Sequence, residues 1–241
     1  MICTSKSCGE IERLRPLIGI NDPFISENGG GIFIPERYFT HKFHYDRELN
    51  GYYVIDPGTP RETLRGVLES VVKETGIDIR GVSDMSISEI MESTGLDRES
   101  ARLAGDRSYS EPFLVDGDET EVETVINKIK EKGYAHTQGS RFHHILGNND
   151  KGKAVKTVTE LYKKETPLVK TIGIGDSLND LPMLKAVDFP VQVMKKSGIY
   201  EKRLRLDNVM LTDVEGPVGF NSAILKFFIN YEGKATSQNR N

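Results

Sequence analysis

The chain has 241 residues, which is enough for one large domain or two modest ones. Hydrophobic residues make up 37% and charged residues 28%, and the net charge of −4 excludes the strongly basic surface of a typical nucleic-acid-binding protein. No apolar run is long enough to cross a bilayer, and the first residues lack a signal-peptide pattern. Cys3 and Cys8, the only cysteines, offer no disulfide framework. We therefore expect a cytoplasmic protein with neither a nucleic-acid nor a membrane partner.

Helix and strand patterns alternate along the chain, which predicts the α/β class. Apolar residues recur at helical spacing in residues 64–72, 122–129 and 154–161. Two shorter helical patterns lie between Ser83 and Ser110 and are separated by Gly95. The predicted strands include Tyr52–Ile55, Ile77–Val82, Tyr134–Gln138, Arg141–Leu146 and Lys170–Ile174.

The pattern of residues along the chain changes near residues 45 and 140, which indicates the domain organisation. The chain has no internal repeat, and no linker rich in proline, glycine or serine separates it into two consecutive domains. We therefore predict a split core domain of residues 1–44 and 141–241, with a second domain of residues 45–140 inserted into it.

The first strand pattern turns into a helix through Thr4, Ser5 and Lys6. Hydroxyl groups, backbone N–H groups and a lysine at the start of a helix are typical of an anion site. A simple helix cap is the alternative, because Ser and Thr are favoured at that position in any helix. The motif alone does not decide between the two.

The segment Ser26–Pro35 contains three consecutive glycines directly after Asn28. Glycine permits positive φ angles and close approach of the backbone to a ligand, which makes Asn28 and Gly29 candidates for a ligand site. Asn-Gly is also a strong hairpin signal, and taken alone the segment favours a hairpin. The two interpretations are compatible.

Basic residues stand on two further loops. Lys151 precedes a glycine at the start of a predicted helix, where an ammonium group can neutralise a phosphoryl group. Lys153 is a competing candidate, and a surface lysine beside the helix cap Asp150 is the ordinary alternative. Arg107 either binds a carboxylate or phosphate or pairs with Glu111 inside the middle segment.

The segment Gly173–Leu184 carries the strongest chemical signal in the chain. A short apolar strand runs into Gly175, and Asp176 and Asp180 follow at the mouth of a helix. Ligands of parallel α/β sheets gather at the carboxyl ends of strands. Two carboxylates at such an end suit a hard divalent cation with oxygen ligands.

This segment closely resembles the fourth motif of the haloacid dehalogenase-like phosphatases. Five other segments occur in the order of one family: Thr4–Lys6, Ser26–Gly29, Arg107–Phe113, Gly139–Phe142 and Asp150–Lys153. Together they resemble the mannosyl-3-phosphoglycerate phosphatase family, in the Cof-like subgroup of that superfamily. The resemblance runs from Met1 to about Phe228.

The resemblance implies a Rossmann-like core of parallel strands with an inserted α/β cap domain. Thr4, with Ser5, would bind the phosphate, and Lys151 would hold the phosphoryl group and the nucleophile together. Asp176 would bind Mg²⁺, and Asp180 would support the metal directly or through water.

The resemblance also implies substrate contacts on two sides of the site. Lys6, Asn28 and Gly29 would lie near the site on the core side. Arg107, Ser140 and Arg141 would approach the glycerate carboxylate or the sugar from the cap side.

One feature of the family is not found here. Family members begin with a strand ending in Asp-x-Asp, whose first aspartate attacks phosphorus and whose second acts as general acid and base. Met1 stands only three residues before Thr4, and the Asp-x-Asp at residues 116–118 opens a predicted helix of the cap. We therefore expect an N-terminally incomplete chain, without the central first strand of the core sheet and with little or no turnover.

The leading functional hypothesis is a Mg²⁺-dependent phosphatase. It would convert mannosyl-3-phosphoglycerate to mannosylglycerate, a compatible solute, through an aspartyl phosphate. One alternative keeps the mechanism and changes the substrate to another sugar or glycerate phosphate. The other is a non-catalytic protein that binds sugar phosphates. The sequence specifies no oligomeric state.

Overall fold

The structure is a computed structural model that describes residues 1–139 and 142–238, with the backbone alone for residues 228–238. The chain packs as two compact units, Met1–Val169 and Lys170–Asn241. No helix in the described ranges is long and apolar enough to cross a membrane.

The first unit contains a five-stranded sheet. Its strands are β1 (Ile2–Cys3), β2 (Phe24–Ser26), β3 (Gly31–Pro35), β4 (Arg47–Leu49) and β5 (Tyr52–Ile55). They lie in the order β1-β2-β3-β5-β4, and only β1 and β2 run parallel. The connection between β1 and β2 contains α1 (Cys8–Ile18), whose Ile11 packs on Phe24, Phe33 and Val54. The antiparallel pairing of β2 with β3 confirms the predicted hairpin.

A second sheet of the first unit carries helices on one face. Its strands are β6 (Asp78–Gly81), β7 (Ser110–Asp116), β8 (Ala135–Gln138) and β9 (His143–Leu146), antiparallel in the order β6-β7-β9-β8. The covering helices are α2 (Arg61–Thr75) and α5 (Glu119–Glu131). Their predicted apolar stripes bury Leu64 and Ile129 against Phe113 and Ile145, so the periodicity of the sequence identified this core.

Two short helices, α3 (Ile87–Thr94) and α4 (Arg98–Gly105), pack on each other beside this sheet. Gly95 ends α3 in the left-handed conformation with φ +74°, as its position between two helical patterns predicts. The last helix of the first unit, α6 (Lys151–Glu165), begins after the N-cap Asp150.

The second unit contains a parallel sheet of three strands, β10 (Ile172–Gly175), β11 (Phe189–Met194) and β12 (Met210–Glu215), in that order. The short α7 (Leu181–Leu184) and the long α8 (Gly216–Gln238) complete it. Among the described residues, β1 and β10 each lie at an edge of their own sheet.

The predicted domain boundaries fall inside sheets of the first unit. Strand β5 pairs with β3 across the boundary at residue 45, and β9 pairs with β7 across the boundary at residue 141. The assignment of residues 1–44 and 141–241 to a core, and of residues 45–140 to a cap, stays a prediction.

Candidate active site

The first part of the site is the segment Thr4–Ser7, here called the N-terminal loop, between β1 and α1. Its carbonyl groups accept hydrogen bonds from the turn after β2: Asn28 N donates to Thr4 O at 3.0 Å, and Glu27 N donates to Lys6 O at 2.9 Å. Within the loop, Lys6 N donates to the hydroxyl Oγ1 of Thr4 at 3.3 Å. The N-terminal loop, which the sequence predicts as an anion site, is therefore bound through Thr4 and Lys6 to the turn after β2.

The turn after β2 has an unusual backbone. Glu27 and Asn28 both have positive φ, +47° and +57°, although neither is glycine. Consecutive non-glycine residues in the left-handed region are uncommon and persist only where the surrounding structure holds them. Here the conformation directs two successive N–H groups to the N-terminal loop, which is the structural reason for it.

Gly29 brings this turn against the start of α6. It has φ +92°, and a Cβ atom at this position would lie 2.3 Å from Asp150 O and 3.1 Å from Lys151 N. Only glycine allows that approach. Asn149 also contacts the turn, since its Nδ2 donates to Asn28 O at 3.5 Å.

The two lysines that the sequence left open have different surroundings. Lys151 is the first residue of α6 and only 5% exposed. Lys153 has a side chain that is 55% exposed, and its ammonium donates to Asn148 O at 2.5 Å and Asn148 Oδ1 at 2.6 Å. The structure thus places Lys151, and not the ammonium of Lys153, in the buried region beside Gly29.

Together these contacts gather Thr4, Ser5, Lys6, Asn28, Gly29 and Lys151 within the first unit. Two helices begin there, α1 of 11 residues and α6 of 15 residues. Helix starts carry N–H groups with partial positive charge, and the cationic side chains there are Lys151 and Lys6, the latter paired with Glu10 at 2.8 Å. The arrangement is suited to an anion such as a phosphoryl group.

Arg107 lies at the same loop, but its guanidinium is bound by protein groups. It donates from Nη2 to Ser5 O, from Nη1 to Ala104 O at 3.2 Å and from Nε to Ser110 Oγ at 3.0 Å. Its side chain is 5% exposed. The alternative pairing with Glu111 does not form, because Glu111 is paired with Arg61 instead.

A cavity of about 380 Å³ opens beside the N-terminal loop, lined among others by Ser5, Lys6, Arg107, Pro112, Phe142 and His144. His144 is 7% exposed, and its Nδ1 has no hydrogen-bond partner in the described part of the chain. Burial, and then the charge of Arg107, lowers the pKa of His144 to about 3, so the imidazole is neutral at pH 7. Ser140 and Arg141, predicted on the same side, lie outside the described residues.

The second unit carries the two predicted metal acids at the carboxyl end of β10. Asp180 is 7% exposed, and its Oδ2 accepts the backbone N–H groups of Asp176 at 3.1 Å and Ser177 at 3.0 Å. Gly175 makes this turn possible, because a Cβ atom there would lie 2.5 Å from Asp180 Cβ. Asp176 is exposed and accepts a hydrogen bond from Ser177 Oγ at 2.9 Å.

These residues fit a magnesium ion. Mg²⁺ prefers oxygen ligands, keeps several waters and is commonly bound through one or two carboxylates. Asp176 presents an exposed carboxylate, and Asp180 fixes the turn from which it projects. In residues 1–139 and 142–238, no cluster of three or more His, Cys, Asp or Glu residues could hold a metal ion by itself.

Sequence reasoning missed three buried polar residues near the predicted ones: Glu27, His144 and Asn149. Glu27 lies in the glycine-rich segment Ser26–Pro35, but the sequence alone does not show that this acid is buried. His144 and Asn149 lie in ordinary sequence, and only the tertiary structure brings them to the site.

Comparison with known proteins gives a consistent result. A family model described as haloacid dehalogenase-like hydrolase matches residues 87–201. The chain is 44% identical over 225 residues to a glucosyl-3-phosphoglycerate/mannosyl-3-phosphoglycerate phosphatase of Methanococcoides burtonii, which covers 93% of this chain and 83% of that protein. A protein of the same name from Persephonella marina is 34% identical over 236 residues, covering 96% of this chain and 85% of the relative.

A solved structure extends the comparison to the fold. The structure of a phosphatase of the haloalkanoate (HAD) enzyme superfamily from Bacteroides thetaiotaomicron is 15% identical, with a TM-score of 0.60 over 95% of this chain and 81% of that one. The class is therefore that of the haloacid dehalogenase-like hydrolases, with a Rossmann-like core and an α/β cap, as predicted. Within that class, the chain belongs to the mannosyl-3-phosphoglycerate phosphatase family.

Proposed function

We propose that the protein is a phosphatase acting on glycosyl-3-phosphoglycerates. The observation that carries the proposal is the gathering of the N-terminal loop, Gly29 and the buried Lys151 at two helix starts, which suits a phosphoryl group. Both relatives at 44% and 34% identity are named for glucosyl and mannosyl substrates. The proposal therefore includes glucosyl-3-phosphoglycerate beside the mannosyl compound predicted from sequence, with glucosylglycerate or mannosylglycerate and phosphate as products.

In the first unit, Thr4 and Ser5 bind the phosphoryl oxygens through their hydroxyl groups and the backbone N–H of Ser5, since Thr4 N donates to Ile25 O at 3.1 Å. Lys151 neutralises charge that accumulates on those oxygens as the ester bond breaks. Lys6, Asn28 and Gly29 border this group, and the cavity beside Lys6 receives the glycerate and sugar of the leaving group. Arg141 and Ser140 stay proposed substrate contacts from the sequence.

In the second unit, Asp176 and Asp180 hold Mg²⁺, Asp176 as a direct ligand and Asp180 through the turn that it fixes. Bound there, Mg²⁺ supplies positive charge for the phosphoryl oxygens. Two carboxylates suit a hard divalent cation with oxygen ligands, of which Mg²⁺ is the one that the family resemblance implies.

The phosphoryl group is transferred, in the family mechanism, to a carboxylate oxygen of the first aspartate of the Asp-x-Asp motif. The bond from phosphorus to the glycerate oxygen breaks, and the second aspartate gives that oxygen its proton. Water then cleaves the aspartyl phosphate. Because residues 1–241 have no such motif ahead of Thr4, we propose that these residues by themselves bind substrate with little turnover.

A second candidate function follows from the same feature. A protein that never had the nucleophile would bind glycosyl phosphoglycerates without hydrolysing them. The two candidates differ in one measurable property: the protein isolated from its native cells hydrolyses the substrate under the leading proposal and only binds it under the second.

The test measures phosphate release with Mg²⁺ from mannosyl- and glucosyl-3-phosphoglycerate and from a panel of other sugar phosphates. Protein isolated from native cells, with its intact mass determined, is compared with the 241-residue chain. We expect selective release by the native protein, and binding without substantial release by the 241-residue chain. Robust turnover by the 241-residue chain would contradict the proposal that the nucleophilic aspartate is not among these residues. Binding without turnover by the native protein would favour the second candidate.

A further inference from the structure

We infer that Glu27 and Arg107 are positioning residues that hold the N-terminal loop in the conformation required for binding a phosphoryl group. The inference rests on the proposed function, because it assigns a role within the same site. Neither residue needs to touch the substrate for this role.

The carboxylate of Glu27 connects the turn after β2 to the start of β7. It is 1% exposed, and Oε1 accepts Ser108 N at 2.9 Å, whereas Oε2 accepts Tyr109 N at 3.0 Å and Ser110 Oγ at 2.8 Å. Three donors satisfy the hydrogen-bonding capacity of this buried carboxylate. The side chain thus binds the segment 108–110, which lies more than 80 positions away in the chain.

The backbone of the same residue binds the N-terminal loop. Glu27 N donates to Lys6 O at 2.9 Å, and the neighbouring Asn28 N donates to Thr4 O at 3.0 Å. The second bond depends on the positive φ angle of Glu27, because that rotation sets the direction of the following Asn28 N–H. A non-glycine residue in this conformation must be held there by other contacts, and the carboxylate of Glu27 supplies such contacts.

Arg107 completes the connection from the other side. Its guanidinium donates to Ser5 O and to Ser110 Oγ, and its Nε lies 3.6 Å from Glu27 Oε2. The carbonyl oxygens of Thr4, Ser5 and Lys6 therefore all accept hydrogen bonds from Glu27, Asn28 and Arg107, and these three residues are here called the frame of the loop.

The frame determines where the loop's N–H groups point. In a trans peptide the N–H group is directed opposite to the preceding carbonyl oxygen. Binding the three carbonyl oxygens on the protein side turns the following N–H groups the other way. Two of these donate to loop and helix side chains, Lys6 N to Thr4 Oγ1 at 3.3 Å and Ser7 N to Glu10 Oε2 at 3.0 Å, and the N–H of Ser5 is the third. The frame therefore orients the Ser5 N–H and the Thr4 and Ser5 side chains toward an anion, and no catalytic contact by Glu27 or Arg107 is needed for this.

The chain contains a matched control for the general effect of disturbing a buried ion pair. Glu111 is 0% exposed, is paired with Arg61 and accepts Ser83 N at 2.8 Å through Oε1. This pair lies in the same unit and has similar burial, yet its polar partners include no residue of the N-terminal loop.

The experiment compares Glu27→Gln and Arg107→Lys with the control variants Glu111→Gln and Arg61→Lys. Amide hydrogen exchange of residues 4–7 reports the order of the loop, and calorimetric titration with inorganic phosphate reports anion affinity. Urea unfolding of each variant allows comparison at similar losses of global stability. All measurements use the full 241-residue chain and do not require turnover.

We expect Glu27→Gln and Arg107→Lys to speed exchange in residues 4–7 and to weaken phosphate binding by about 10-fold or more, whereas the control variants change affinity by less than about 2-fold. Equal effects of Glu27→Gln and Glu111→Gln on the loop would overturn the inference. Loosening of the loop by the first two variants alone, in a chain that does not bind phosphate, would support the positioning role and contradict the proposed function.

Discussion

Lys151 and Lys153 stand two residues apart at the start of α6, in different surroundings. Lys151 is buried beside the turn that contains Gly29, whereas the ammonium of Lys153 is bound to Asn148. We expect Lys151→Met to weaken binding of inorganic phosphate by at least about 10-fold, because a hydrogen bond to a charged group contributes roughly 1.5–3 kcal/mol. Calorimetric titration of the 241-residue chain measures the affinity.

Lys153→Met is the matched control for that variant, because it removes the same charge from the same helix start. It should change the phosphate affinity by less than about 2-fold, the effect of a screened, exposed charge. Equal losses for the two variants would mean that the general positive charge of the helix start, and not the buried ammonium, binds the anion.

The candidate site contains residues of two kinds: those that stand in a short local motif, and those whose partners lie far away in the sequence. Thr4, Asn28, Gly29 and Lys151 could be selected from sequence because each stands in a short motif with a local chemical meaning. The positioning role of Glu27 could not be predicted, since it depends on segment 108–110, which becomes its partner only in the folded chain. No local pattern encodes such a contact.

Two helices of the first unit, α1 and α3, begin at serine caps that differ in burial. Ser7 caps α1, is 0% exposed, accepts Glu10 N at 3.2 Å and donates to Leu103 O of α4 at 2.7 Å. Ser86 caps α3 with the same capping box but is exposed. The first cap therefore stabilises a helix and its packing, and the second stabilises a helix alone.

We expect Ser7→Ala to lower the free energy of unfolding by about 2 kcal/mol and Ser86→Ala by about 1 kcal/mol. The difference is the buried hydrogen bond to Leu103, which only Ser7 makes. Urea denaturation of both variants beside the unsubstituted chain measures the two losses. A smaller loss for Ser7→Ala than for Ser86→Ala would contradict the assigned role of the α1–α4 contact.

The periodicity of the sequence predicts where a helix or strand lies, but local hydrogen bonds decide the residue at which it begins or ends. The strand predicted at Lys170–Ile174 is observed as β10, Ile172–Gly175. Lys170 Nζ and Thr171 N both donate to the carboxylate of Asp188, and this local contact replaces the first rungs of the predicted strand. Such side-chain competition shifts an element boundary by a few residues and leaves no trace in an apolar pattern.

The molecule as a whole divides the proposed chemistry between its units. The proposed phosphate-binding residues lie in the first unit and the proposed metal acids in the second. The class of the fold could be predicted because helix and strand patterns alternate. The pairing of β3 with β5 and of β7 with β9 could not, because pairing across a predicted boundary is a non-local property that texture changes near residues 45 and 140 do not report.

The first unit should lose stability in acid because it buries neutral histidines. Burial lowers the pKa of His144 to about 3 and that of His136 to about 4, with the nearby His143 as a further cause for His136. In the unfolded chain each histidine titrates near 6.5. Between pH 6.5 and about 4, the unfolded state therefore binds protons that the folded state does not, and stability falls as the pH falls.

Each such histidine contributes up to about 1.4 kcal/mol per pH unit to this slope. We expect His144→Gln to reduce the slope by about that amount between pH 6 and 4.5, measured by urea denaturation followed by circular dichroism. His44→Gln serves as the control, since the side chain of His44 is 87% exposed and should leave the slope nearly unchanged. Above pH 7 the folded and unfolded states both hold these histidines neutral, so any change caused by His144→Gln there measures packing alone. An unchanged acid slope in His144→Gln would show that this imidazole accepts a proton in the folded unit, and the neutral state assigned to His144 would be wrong.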